Sequence, residues 1–260
     1  QKIITEGDFE SYDKVEGLVR DALQVGEIDK GQSDVFHDLD SVLEDDFRHP
    51  IPMGIDGIDR LLKGGLAKGE IGVILAPTGV GKTTVLTKIA NTGFNLGYNV
   101  LQIFFEDNSK IIQRKHFTIW TGVEPDKLSL HKEEVMDKIT EIQETMKNRL
   151  ILKKLASDTM TMSQIKNQVR KMIADGTRID LIVLDYIDCI LPESTSKDEW
   201  KAEGSIMRGF EAMCHELNIA GWTATQGNRS SISSEVVTTD QMGGSIKKAQ
   251  VGHVIITVAK

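Results

Sequence analysis

Lys82 and Thr83 stand side by side in a run that can hold a phosphate, Ala76-Pro77-Thr78-Gly79-Val80-Gly81-Lys82-Thr83-Thr84. Gly79 and Gly81 let the backbone curl so that its N–H groups converge on an anion. A lysine after the second glycine supplies charge for β- and γ-phosphates, and the following hydroxyl can coordinate Mg²⁺. The run lies between the apolar segment Ile71-Gly72-Val73-Ile74-Leu75 and a stretch with Val85, Leu86, Ile89, Ala90 and Phe94 at helical spacing. Strand, glycine loop and helix in that order put the loop at a helix N-terminus, where unsatisfied donors and the dipole favour negative charge. The run departs from G-x-x-x-x-G-K-[ST] only at Ala76, a small residue that still permits a tight turn. These residues imply a bound nucleoside triphosphate, ATP or another, with its Mg²⁺.

Ligands of an open parallel sheet sit beyond the carboxyl ends of its strands, so the polar residues that close apolar runs belong together. Asp185 closes Leu181-Ile182-Val183-Leu184, a run suited to a strand buried on both faces, and is placed to support Mg²⁺ together with Thr83. Glu106 ends the second strand, Asn99 to Phe105, which lies beside the phosphate-loop strand if the order is the usual one. A carboxylate there can take a proton from water attacking the γ-phosphate, and Asp107 competes for that role. Gln226 closes the segment 220 to 226 as a neutral hydrogen-bonding group placed to feel the γ-phosphate.

The elements that must position these groups alternate. Strands are expected at 71–75, 99–105, 150–153, 181–185, 220–226 and 252–258, with helices at 55–62, 109–120, 131–147, 161–174 and 199–217 and one opening at the phosphate loop. Such alternation implies an α/β fold, a mostly parallel twisted sheet flanked by helices. Ahead of it, residues 9–25 carry Val15, Leu18, Val19, Ala22 and Leu23 at helical spacing, and an acidic stretch with Asp34, Asp38, Asp40, Glu44, Asp45 and Asp46 follows. An N-terminal helical arm and linker at 1–50, then one large domain at 51–260, is the expected organisation.

Composition narrows the class. No apolar run approaches the length of a membrane span, and no signal-peptide pattern opens the chain. Cys189 and Cys214 have neither metal-ligand nor disulfide-framework spacing and are expected to be buried thiols in a reducing, cytoplasmic setting. The six histidines form no H-x₃-H pair, so the nucleotide's magnesium is the one metal implied. A net charge of -8 argues against a chain coated in nucleic acid, although a local basic channel would not show in the total.

The phosphate loop with Lys82-Thr83, the strand-end Glu106, Asp185-Tyr186 and the run Thr223-Ala224-Thr225-Gln226-Gly227-Asn228-Arg229 resemble the ATPase domain of DnaB-like replicative DNA helicases, particularly phage forms. The lead-in from Pro52 through Gly54, Asp56, Asp59 and Arg60 to Gly64-Gly65 is similar to the start of that family's ATPase core, and the likeness covers residues 50 to 260. It implies a RecA-like phosphate-loop fold and a hexameric ring that moves along single-stranded DNA by hydrolysing NTP at subunit interfaces. It also implies primase and a helicase loader as partners, and a host cytoplasm as the place of work. By this resemblance Lys82 and Thr83 hold phosphate and Mg²⁺, Glu106 is the general base in preference to Asp107, Asp185 supports the metal, and Gln226 senses the γ-phosphate. The arm at 9–25 docks on a neighbouring subunit. The family's arginine finger lies beyond its last strand, so the domain at 51–260 is expected to be incomplete at its C-terminal end.

The family contacts DNA through the loops that follow Asp185 and Gln226. Here they contain Lys197, Lys201 and Arg229 among hydroxyl residues, with Trp200 as the single aromatic. Such loops can follow a phosphate backbone with little sequence preference. A RecA-type recombinase usually has serine after the strand-end aspartate, where this chain has Tyr186. A regulatory ATPase of the circadian-clock kind shares the lead-in around Gly54 and Gly64-Gly65 but needs no DNA. Both stand as alternatives to the helicase motor.

Overall fold

The structure is a computed structural model that describes residues 40, 43, 48–193, 199–227 and 251–259, with residues 199–203 described in backbone alone. The chain divides into two compact units, Gln1–Phe47 and Arg48–Lys260, and the sheet lies in the second. The helical arm expected at 9–25 lies outside the described residues.

Six strands form one sheet: β1 (Ile71–Ala76), β2 (Val100–Phe104), β3 (Leu150–Lys154), β4 (Leu181–Asp185), β5 (Ala220–Gln226) and β6 (Val254–Thr257). Their order is β3-β2-β4-β5-β1-β6, and every neighbouring pair is parallel. Parallel neighbours require crossovers long enough to return the chain to the same end of the sheet. The helices that do this are α2 (Lys82–Asn95), α3 (Ser109–Thr121), α4 (Lys132–Thr145), α5 (Met162–Ala174) and α6 (Glu199–Glu216), preceded by the short α1 (Asp56–Leu61).

The order corrects one expectation from the sequence. β2 is not next to β1: β4 and β5 lie between them. Sequence neighbours joined by a long crossover need not be sheet neighbours, and the two later strands insert into the gap. β2 also ends at Phe104, so Glu106 lies two residues beyond it.

Side chains alternate across the sheet and bury both faces. On one face Val73, Leu75, Ile103, Ile182 and Leu184 pack with Ile165 and Val169 of α5 and Phe210 and Met213 of α6. On the other, Ile74, Val183, Trp222 and Ala224 pack with Leu86, Ile89, Ala90 and Phe94 of α2. Trp222 sits opposite Gly72 in the β1–β5 register, and a Cβ at Gly72 would lie 2.4 Å from its ring. The glycine inside β1 therefore makes room for the indole. Helix ends are set locally. Asn108 accepts from Lys110 N (2.9 Å) at the start of α3, and Thr161 and Gln164 form a reciprocal capping box at the start of α5.

α2 is fixed to its neighbours by polar contacts as well. Gln102 of β2 donates through Nε2 to Thr87 Oγ1 (3.3 Å) and accepts through Oε1 from His116 Nε2 of α3 (2.9 Å). His116 Nδ1 in turn faces Asn91 Nδ2 (3.2 Å), Asn91 Oδ1 accepts from Asn95 Nδ2 (3.0 Å), and Asn95 Oδ1 accepts from Trp120 Nε1 (3.1 Å). These amide orientations place the imidazole proton on Nε2, and a second proton would confront the Asn91 amide. Burial pushes His116 from its ordinary 6.5 down to about 4. The unfolded chain takes up this proton below 6.5 and the folded chain near 4, so the contribution is complete above 6.5 and is lost between the two values. It corresponds to about 3 kcal/mol. His116→Phe should therefore destabilise the fold near pH 7.5, and by urea unfolding its deficit against wild type should shrink by about 3 kcal/mol on going to about pH 4. A deficit independent of pH would show that His116 is not held neutral.

Candidate functional site

β1 delivers the chain to the carboxyl edge of the sheet, where Ala76 is its last residue and fully buried. The first consensus position thus lies in extended strand backbone, which has no need of glycine. The turn comes later: Gly79 has φ +79° and Gly81, the residue before α2, has φ +98°. A Cβ at Gly81 would approach nothing closer than 3.9 Å, so the left-handed backbone and not space demands glycine there. Lys82 opens α2, and its Nζ bonds the carbonyls of Ala76 (3.3 Å) and Pro77 (3.4 Å).

The other strand-end residues converge on this loop. A cleft of about 470 Å³ is lined by Thr78, Gly79, Gly81, Lys82, Thr83 and Thr84 of the loop, and by Glu106, Asp107, Lys115, Tyr186 and Gln226. Glu106 reaches it although β2 is remote from β1, because the chain leaving β2 passes beside the end of β4: Phe105 N donates to Asp185 O (3.2 Å). Tyr186 Oη donates to Glu106 Oε1 (3.0 Å), whereas Asp107 is ion-paired to Lys115 (2.6 Å). Gln226 pairs in register with Ala76, and the next residue, Gly227, donates its N–H to Ala76 O (3.2 Å).

Asp185, the last residue of β4, is buried, and burial pushes its carboxyl up to about 6 against the opposing hydrogen bond from Thr83 and the charge of Lys115. Its Oδ1 is buried without a hydrogen-bond partner among the described residues. A buried carboxylate that lacks one partner and shares a contact with the Thr83 hydroxyl suits a hard divalent cation, which favours carboxylate and hydroxyl oxygens. Burial likewise lowers the Lys82 ammonium, opposed by the carboxylates of Asp188, Asp185 and Glu106.

Asp188 was not among the residues singled out from the sequence. It lies in the 3₁₀ turn Ile187–Cys189 after β4 and accepts from Thr225 Oγ1 with both oxygens (3.0 Å each) and from Gln226 N (2.9 Å). It thereby holds the end of β5 against the end of β4. Tyr186 and Lys115 were also unassigned. Each owes its place to a contact between distant segments, which no local spacing announces. His253, a polar residue before β6 without an assigned chemistry, accepts from Ile71 N (3.2 Å) at the start of β1, remote from the cleft. Of the residues expected to meet DNA, Lys197 and Arg229 lie outside the described residues, and Lys201 is on α6 within the part described in backbone alone. Asp188→Ala removes the acceptor shared by Thr225 and Gln226 and should lower stability by about 1–3 kcal/mol in urea unfolding. A loss below about 0.5 kcal/mol would mean that the β4–β5 tie is dispensable.

A DNA repair protein RadA of Mycobacterium tuberculosis is 28% identical over 103 residues, 40% of this chain and 22% of that protein. The chain therefore spans less than a quarter of the length of that curated relative. A solved ATPase domain superposes with a TM-score of 0.70 at 16% identity, covering 97% of this chain and 84% of that one. A DnaB-like replicative helicase, solved in a study of its interactions with primase, gives 0.69 at 16% identity over 80% of this chain and 51% of its own. At such identity these likenesses speak for the fold, which is the RecA-like one. Residues 50–236 match the family described as the DnaB-like helicase C terminal domain, which is most of the compact unit, and the chain belongs to that family.

Proposed function

We propose that this chain is the NTP-hydrolysing motor of a replicative DNA helicase, a subunit of a hexameric ring that translocates on single-stranded DNA and works in the cytoplasm. The observation that carries it is the convergence of Lys82, Thr83, Glu106 and Gln226 on one cleft, with Asp185 buried behind Thr83, in a chain of this family. Amides of residues 78–84 receive the phosphates at the start of α2. Lys82 exchanges its loop carbonyls for the β- and γ-phosphates. Thr83 and Asp185 hold Mg²⁺, which when bound neutralises charge developing on the phosphate oxygens.

Glu106 accepts the proton of the attacking water. It is favoured over Asp107 because Asp107 is already paired to Lys115, while Glu106 is met by a neutral phenol. The Gln226 amide donates to the γ-phosphate and, through the tie of its backbone to Asp188, reports the nucleotide state to the segment that follows it. Lys197, Lys201 and Arg229 contact the DNA backbone, and primase and a loader bind the ring. The similarity to a RadA favours a DNA-repair ATPase as second candidate, which negative-stain images of filaments in place of rings would support.

Steady-state ATP hydrolysis with and without single-stranded DNA tests the motor. Stimulation should appear with DNA and fade as salt rises. Lys82→Ala should reduce turnover about 100-fold or more. Glu106→Gln should bind nucleotide normally and lose about 100-fold or more in kcat. Hydrolysis indifferent to DNA would overturn the helicase assignment, and a fully active Glu106→Gln would move the base to Asp107.

A further inference from the structure

Tyr186 follows Asp185 directly, so the end of β4 sets its backbone beside the metal-supporting carboxylate. Its ring lies 5.6 Å from Lys82 Nζ, and its hydroxyl donates to Glu106 Oε1 at 3.0 Å. One side chain therefore spans from the phosphate-loop lysine to the candidate base. Two more contacts hold it. Cys189 N donates to Tyr186 O (3.2 Å), and the ring packs at the border of both core clusters.

Glu106 is differently placed. It sits in the connection between β2 and α3, two residues beyond the strand, on a side chain with three torsions. A base must lie within hydrogen-bond reach of the water it deprotonates, and a carboxylate on a connecting segment needs a partner to keep one rotamer.

We propose that Tyr186 is a positioning residue for Glu106: its hydroxyl occupies Oε1 and turns Oε2 toward the nucleotide cleft, where the attacking water is met. This rests on the assignment of Glu106 as the base. The division of labour follows from the donor count. A phenol has one hydrogen to give, so one carboxylate oxygen is held and the other keeps its lone pairs for the water proton. A phenol ordinarily keeps its proton well above neutral pH, so the donor is present throughout the working range.

Tyr186→Phe keeps the ring and deletes only the donor. In the full chain we expect kcat for ATP to fall about tenfold with KM unchanged. In a Glu106→Gln background the same substitution should have no further effect on the residual single-turnover rate, because no base remains to be positioned. A tenfold loss that persists in that background, a raised KM with unchanged kcat, or a kcat within about twofold of wild type would overturn the proposal. A measurement free of turnover stands beside it: the chain has three tyrosines, so ¹³Cζ-tyrosine spectra with Tyr186→Phe as the blank identify the Tyr186 signal. Glu106→Gln should displace that signal, and an unmoved signal would overturn the contact. Failure of the base assignment shows separately, as full turnover in Glu106→Gln itself.

Discussion

An anion cradle made of backbone amides works only if the backbone is held in a conformation that it would not choose. Gly81 has a left-handed φ immediately before α2, and no neighbour crowds it, so the geometry must come from what anchors the two ends of the loop. Every residue of β1 is buried, and the strand pairs with β5 over Ile71–Ala76 and with β6 over Gly72–Leu75. α2 is sunk into the opposite core through Leu86, Ile89, Ala90 and Phe94. Between two such rigid ends the short loop has little freedom left, which is how a flexible composition yields a fixed site.

The same edge concentrates charge that the described residues do not fully satisfy. Among them, Asp185 is buried with one unpartnered oxygen, Lys82 is half-buried and bonds neutral carbonyls, and the carboxylates of Asp188 and Glu106 stand near it. In a structure built only for stability such groups would be paired or absent. Held apart by rigid strand ends, they are complementary to a ligand that brings both phosphate and a divalent cation. Local violation of the rules that govern the rest of the core marks this edge as the functional one.

Most of the fold was legible in the sequence because its signals are periodic or local. Continuous apolar runs such as Leu181–Leu184 identify buried parallel strands, and the run from Gly79 to Thr83 identifies the loop from a handful of residues. Strand order was not legible. Nothing near β2 says that β4 and β5 will lie between it and β1, since that depends on the competition of whole faces for burial. Asp188 escaped for a related reason: a single 3₁₀ turn has no repeat, and its partners Thr225 and Gln226 lie on a different strand. The Tyr186–Glu106 contact joins residues 80 positions apart. His116 reads as one more polar residue on an amphipathic helix until Gln102 is found opposite it.

That buried polar chain bears on how the cradle is aimed. Apolar packing alone would tolerate small rotations or slides of α2 over the sheet, because dispersion contacts have little direction. Gln102 and His116 remove this tolerance. They bond Thr87 and Asn91, one turn apart on α2, from β2 and from α3, and each amide orientation fits only its present neighbour. A slide of α2 would strand buried donors and acceptors, which costs more than the contacts of a few methyl groups. Thr87 lies one turn from Thr83, so what fixes the helix also fixes the direction of its first amides. The conformation of the loop comes from glycine, but its aim comes from hydrogen bonds that α2 makes with β2 and α3.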